Sequence, residues 1–290
     1  MRKHVFGSRS TWLFVSLFLA APLVHATTPQ AFRVYLASTG ADTNPCTLHS
    51  PCRWLPAALA AVSDGGEVLM LDSANYNTTP VAIDNMSVTI MAAPGVSATL
   101  VGNNGNAINK TGFGTVKFRS VSFSSISGST NIGINVTGDI FDLVLEDTEF
   151  TGFSTAVSIV DSTNSGQGTL HAYRTSFFNN DKAITIAPTP DVTDGIRVLI
   201  DHCTIENTIG WSIYATRATV VVTNSNITSG NYGIDADTGS EFWLSNVVIS
   251  DQYDGVYMTG GTVRTFGDNV NAANRFGNIA GGSVTATTKF

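Results

Sequence analysis

Val198-Leu-Ile-Asp-His-Cys-Thr-Ile205, Val220-Val-Val-Thr-Asn-Ser-Asn-Ile227 and Phe242-Trp-Leu-Ser-Asn-Val-Val-Ile249 are three versions of one phrase, each opening apolar-x-apolar and closing on Ile. Upstream, Val116-Lys-Phe-Arg-Ser-Val-Ser-Phe123, Leu143-Val-Leu-Glu-Asp-Thr-Glu-Phe150 and His171-Ala-Tyr-Arg-Thr-Ser-Phe-Phe178 fit the same phrase with Phe at the close. The closing residues stand at 123, 150, 178, 205, 227 and 249, so they are 27, 28, 27, 22 and 22 residues apart. A second motif follows each phrase: Gly133-Ile134, Ala156-Val157, Ala183-Ile184, Ser212-Ile213, Gly233-Ile234 and Gly255-Val256. A unit of this length cannot bury its own apolar face, so its recurrence predicts a solenoid in which each coil covers the next.

Alternation within the strands assigns side chains to faces. The row Phe118, Leu145, Tyr173, Ile200, Val222, Leu244 is predicted to fill the interior, with His171 also nominally inward. The row Arg119, Glu146, Arg174, Asp201, Thr223, Ser245 is predicted to face out. Small residues precede each Ile or Val of the second motif, as a tight bend requires. Cys203 falls in a row of small residues (Val121, Thr148, Ser176, Ser225, Val247) and reads as a buried free thiol rather than a nucleophile. Leu55 to Val62, with Pro56 near its start and Gly65-Gly66 beyond, reads as a short helix capping the N-terminal end.

Composition agrees with an all-β chain. Only 13% of the 290 residues are charged against 43% hydrophobic, with 27 Gly, which leaves too few charges to clothe helix faces. The net charge of -7 offers no basic field for phosphates, so nucleic acid is not expected as a partner. Residues 1–26 place Arg2, Lys3 and Arg9 before the apolar run Trp12 to Leu23 and then Val24-His25-Ala26, the order of a secretory signal peptide cleaved near Ala26. That run is too short to span about 30 Å of hydrocarbon, and no later run is longer, so an integral membrane protein is not expected and a secreted or periplasmic location is. Export permits disulfides. Cys46 and Cys52 flank a turn-forming Thr-Leu-His-Ser-Pro and are the expected pair, their spacing matching neither zinc nor redox motifs. The resulting organisation is a signal peptide at 1–26, a cap with a short helix at 27–67, coils at 68–265 and a C-terminal cap at 266–290.

Tyr35-Leu-Ala-Ser-Thr-Gly-Ala-Asp-Thr-Asn-Pro-Cys46, Ser50-Pro-Cys52-Arg-Trp-Leu-Pro-Ala-Ala-Leu59 and Gly65-Gly66-Glu-Val-Leu-Met-Leu-Asp72 together resemble the opening of secreted bacterial right-handed parallel β-helix repeat proteins of the pectate-lyase-like superfamily. The resemblance covers essentially the whole chain after Ala26. It implies three parallel sheets per coil and an N-terminal helical cap. It implies no single activity, since the superfamily hosts lyases, hydrolases, esterases, epimerases and adhesins.

Two surfaces carry candidate chemistry. A lyase would need carboxylates to hold calcium and an Arg or Lys as base, for which the charged row offers Arg119 or Arg174 with Glu146, Asp147 and Asp201. A ladder of surface ion pairs explains the same alternation of sign without a substrate. The polygalacturonase pattern of paired aspartates, Gly-His-Gly and Arg-x-Lys is absent from the sequence. The second surface is aromatic: Tyr214, Asp235 and Tyr257 share one outward row, with Trp211 and Tyr232 two residues before their Ile. Rings beside a carboxylate suit stacking on a pyranose and bonding its hydroxyls, and cross-coil aromatic packing that stiffens the sheet accounts for the same rings equally well. The leading expectation is a noncatalytic glycan-binding or surface-interaction protein that takes no cofactor or metal. The alternative is a lyase or hydrolase acting on an acidic polysaccharide, with calcium. The sequence sets no oligomeric state.

Overall fold

The computed structural model describes residues 30–288 apart from 79, 128–129, 139, 161–166 and 189–194. The signal-peptide reading at residues 1–26 lies outside the described residues. Strands in parallel register wind into a β-solenoid of about nine turns, each coil carrying three faces. The first face is an eleven-stranded sheet running from Ala31–Leu36 to Thr285–Ala286. The second carries short strands such as Glu149–Thr151 and Thr204–Glu206, and the third carries strands such as Thr155–Ile159 and Trp211–Ala215.

The interior is built from columns of like residues. On the second face Phe123, Phe150, Phe177, Ile205, Ile227 and Ile249 stand in register. The Phe123 and Phe150 rings stack at 4.4 Å and 5°, and those of Phe150 and Phe177 at 5.3 Å and 12°. Full burial of such a ring contributes about 1.5–3 kcal/mol, so the column is a main source of stability. Ile134, Val157, Ile184, Ile213, Ile234 and Val256 form the matching column on the third face. The row before it must be small: a Cβ on Gly133 would stand 2.4 Å from the Ala156 carbonyl oxygen.

The coil around His171 to Phe178 corrects the sequence reading by one residue. Leu145 pairs with Ala172, and Ala172 with Ile200, so Leu170 and Ala172 point inward while His171 and Tyr173 are exposed. The alternative register would bury an imidazole and a phenol without partners, which costs more than burying Leu and Ala. Gly168 fixes the choice, because its missing side chain leaves room for the buried Phe141 ring; a Cβ there would lie 2.2 Å from that ring. The adjacent Phe177 and Phe178 concealed the slip, and with Phe177 as the inward residue the spacing becomes 27, 27, 28, 22 and 22. The small row likewise contains Thr175 rather than Ser176 next to Cys203.

The same shift moves Arg174 out of the strand. Ser120, Asp147, Arg174, His202, Asn224 and Asn246 all have φ between 48° and 56° and form the corner between the first and second faces, a left-handed position that Asn and Asp tolerate best. The outward row on the first face is therefore Arg119, Glu146, Tyr173, Asp201, Thr223 and Ser245.

At the N-terminal end the helix spans Leu55–Ala61, burying Leu55 and Ala58. It passes straight into the strand Val62–Met70, so Gly65 and Gly66 lie inside that strand rather than ending the helix. Cys46 and Cys52 are disulfide-bonded, and the Cys46 carbonyl and Cys52 amide both bond Tyr35 of the first strand. Beyond residue 265 the strands Val270–Ala272, Gly277–Ala280 and Thr285–Ala286 continue the stacks, so this end is a thin further coil. No helix among the described residues is long and apolar enough to cross a membrane.

Candidate functional site

On the first face the charged residues bind one another. Glu146 accepts Arg119 Nε at 2.8 Å on one oxygen and Lys117 Nζ at 2.5 Å on the other. Arg33 pairs with Glu67 and Arg264 with Glu241 in the same way. Arg174 grips Asp147 with two parallel bonds of 2.5 and 2.7 Å across the corner. Asp201 accepts from the Thr223 hydroxyl, Asn224 and His202. Burial works against ionisation of Glu146 and Asp201, yet these donors hold both below the usual carboxylate range. For Asp147 the Arg174 bonds are the main cause of the same depression. A proton-abstracting base needs a free lone pair, and both arginines are committed to carboxylates. Nor does the row fit calcium: its carboxylates are taken, and among the described residues no three His, Cys, Asp or Glu side chains gather closely enough to hold a metal ion. Cys203 is buried, which pushes its thiol up to about 11 and keeps it protonated and inert.

The third face changes character along its length. One outward row reads Asn109, Asn135, Ser158, Thr185 and then Tyr214, Asp235, Tyr257. Its companion row carries Trp211, Tyr232 and Asp254 in register, ending at Gly277. The coil of Trp211 and Tyr214 thus carries a ring in both rows, and in the next two coils ring and carboxylate change places, Tyr232 with Asp235 and then Asp254 with Tyr257. Trp211 lies 5.5 Å from Tyr214 and 6.4 Å from Tyr232, and Tyr232 lies 5.5 Å from Tyr257. Tyr253 and Phe276 extend the surface as a parallel stack at 5.0 Å, with Phe276 75% exposed. Lys182 places its ammonium 5.0 Å from the Trp211 ring centre.

The predicted set Trp211, Tyr214, Tyr232, Asp235 and Tyr257 is thus one contiguous patch. Asp237 and Asp254 belong to it as well and were not singled out from the sequence, although Asp254 holds the same place before Val256 that Tyr232 holds before Ile234. Asp235 and Asp254 are each only 4% exposed, and one oxygen of each has no hydrogen-bond partner. Burial, reinforced by the negative charge of Asp237, pushes the Asp235 carboxyl up to about 6; Thr259 and Trp211 oppose this without cancelling it. Burial also raises Asp254. Asp237 is held low by the Thr238 backbone amide and, despite some burial, by the Tyr214 hydroxyl, which donates to it at 2.8 Å. Burial and this bond push the Tyr214 phenol up to about 12.

No protein-family model matches the sequence, and comparison with curated proteins gives no match. Solved structures do match. A pectate lyase, Pel9A, superposes with a TM-score of 0.57 at 16% identity, covering 89% of this chain and 78% of its own. The GH136 lacto-N-biosidase from Eubacterium ramulus, as its selenomethionine derivative, gives 0.58 at 10% identity, covering 88% and 67%. At such identities the likeness establishes the fold. The chain folds as a parallel β-helix, as these structures do.

Proposed function

We propose that this is an exported, noncatalytic carbohydrate-binding protein whose ligand lies across the aromatic end of the third face. The observation that carries this reading is the ring array itself: Trp211, Tyr214, Tyr232 and Tyr257 stand 5.5 to 6.4 Å apart on adjacent coils, half-buried and held rigid by the solenoid. Rings fixed by a scaffold can stack on sugar faces with little loss of side-chain freedom. The disulfide favours an oxidising compartment. Structural neighbours named as a pectate lyase and a lacto-N-biosidase are consistent with a scaffold suited to glycans. The charged row supports no comparable reading, since its arginines are spent on carboxylates.

The test is a panel of acidic, neutral and amino polysaccharides presented to the purified protein with and without calcium. It is read by affinity electrophoresis for retention, by ultraviolet absorbance for unsaturated products and by reducing ends for hydrolysis. Retention on at least one glycan, lost in Tyr214→Ala and kept in Arg174→Ala, with no product formed, is the expected result. Product formation that disappears in Arg174→Ala overturns it in favour of a lyase.

A further inference from the structure

The charge balance of the patch says which glycan it takes. Elsewhere Glu67, Glu146, Asp147 and Glu241 each have an arginine partner one coil away, and the more exposed Asp72, Asp84 and Asp142 are bonded by hydroxyl or amide donors. On the patch, Asp235, Asp237 and Asp254 form no ion pair with any basic side chain among the described residues. Two of these three are all but buried and each keeps an oxygen without a partner. An unpaired buried carboxylate is costly and needs compensation.

We infer that the patch selects a glycan bearing positive charge, a polymer of sugars with free ammonium groups, and discriminates against acidic polysaccharides. The proposal rests on the glycan-binding reading and specifies its substrate class. Each aromatic face offers the negative side of its quadrupole to a cation, and the carboxylates set between and beneath the rings add to the same potential. The protein already demonstrates the geometry on itself, for Lys182 rests its ammonium over Trp211. Tyr232 and Tyr257, further along, carry no such cation among the described residues, and they stand in register with Asp254 and Asp235. Gly277 extends the row beside Asp254, and a Cβ there would stand 3.0 Å from the Asp254 Oδ1, so only glycine leaves that oxygen uncrowded. A uronic acid in the same place would set carboxylate against carboxylate. A neutral sugar would stack but gain nothing from the negative potential of the acids.

Isothermal titration at neutral pH, in the presence of EDTA, compares four tetrasaccharides: β-1,4-glucosamine, its N-acetylated counterpart, cellotetraose and α-1,4-galacturonate. The glucosamine tetramer is expected to bind about tenfold or more tighter than the two neutral ones, with an advantage that shrinks as salt rises, and the galacturonate tetramer not to bind. The double variant Asp235→Asn with Asp254→Asn, whose amides fill the same space, should bring the charged-to-acetylated ratio close to one. Its fold is checked by circular dichroism. Equal or tighter binding of the acetylated tetramer, cellotetraose or galacturonate overturns the charge selection while leaving glycan binding intact. Binding of none of the four overturns both readings.

Discussion

The first and third faces of the solenoid present acids in opposite states. On the first, Glu146 sits half-buried between Lys117 and Arg119 and is held ionised by them; on the third, Asp235 is all but buried in register with Tyr214 and Tyr257, forms no ion pair among the described residues, and is held towards its neutral form. Both are outward positions of parallel strands separated by one corner. The difference teaches that a solenoid can assign one face to holding coils together and another to meeting a partner, through the identity of the neighbours one coil away.

The largest effect that would break this contrast is on stability. Asp235 has a folded-state pKa of about 6, above its unfolded value, so between the two the folded chain keeps a proton that the unfolded chain has lost. Its contribution is therefore most favourable below about pH 4 and is lost as pH rises through about 6, a change of about 3 kcal/mol. Acids depressed in the fold, such as Glu146 and Asp147, act with the opposite sign and gain as pH rises through the acid range. The difference in urea-unfolding free energy between Asp235→Asn and the parent isolates the patch. It should grow in favour of the variant from pH 4 to 7, and a flat difference would remove Asp235 from the contrast.

Next in size is the ligand surface. Tyr232→Ala takes away the ring that touches Trp211, Tyr253 and Tyr257, and loss of such a central aromatic anchor should cost about 2 kcal/mol of binding, or roughly thirtyfold in Kd by titration, with a smaller change in melting temperature. The smallest effect belongs to the ladder. Arg119→Ala or Arg264→Ala should shift unfolding free energy by about 0–1 kcal/mol, less at high salt, and leave glycan affinity unchanged. A change in affinity equal to that of Tyr232→Ala would merge the two faces into one site.

The solenoid was legible because stacking repeats one environment: a position that buries Phe123 also buries Phe150 and Ile227, and the sequence shows the repetition directly. It failed where a coil offers two registers of similar pattern, as at Leu170-His-Ala-Tyr173, because the deciding contact is the Phe141 ring above Gly168, 27 residues away. That slip carried Arg174 from a strand into a corner. The aromatic residues were legible for the same reason as the core. Asp254 and the unpaired state of Asp235 were not, since what makes a carboxylate unusual is which donors reach it from the coils above and below, and alternation within one strand carries no record of that.

Two tryptophans report on the two faces separately. Trp211 belongs to the patch, whereas Trp243 lies on the first face beside Arg264 and Phe266. Placement of the ligand on the aromatic patch is tested most directly by the fluorescence change on titrating a bound glycan into Trp211→Phe and Trp243→Phe. The signal is expected to vanish in Trp211→Phe and to persist in Trp243→Phe. A signal that persists in the first and vanishes in the second would place the ligand on the charged face and contradict it.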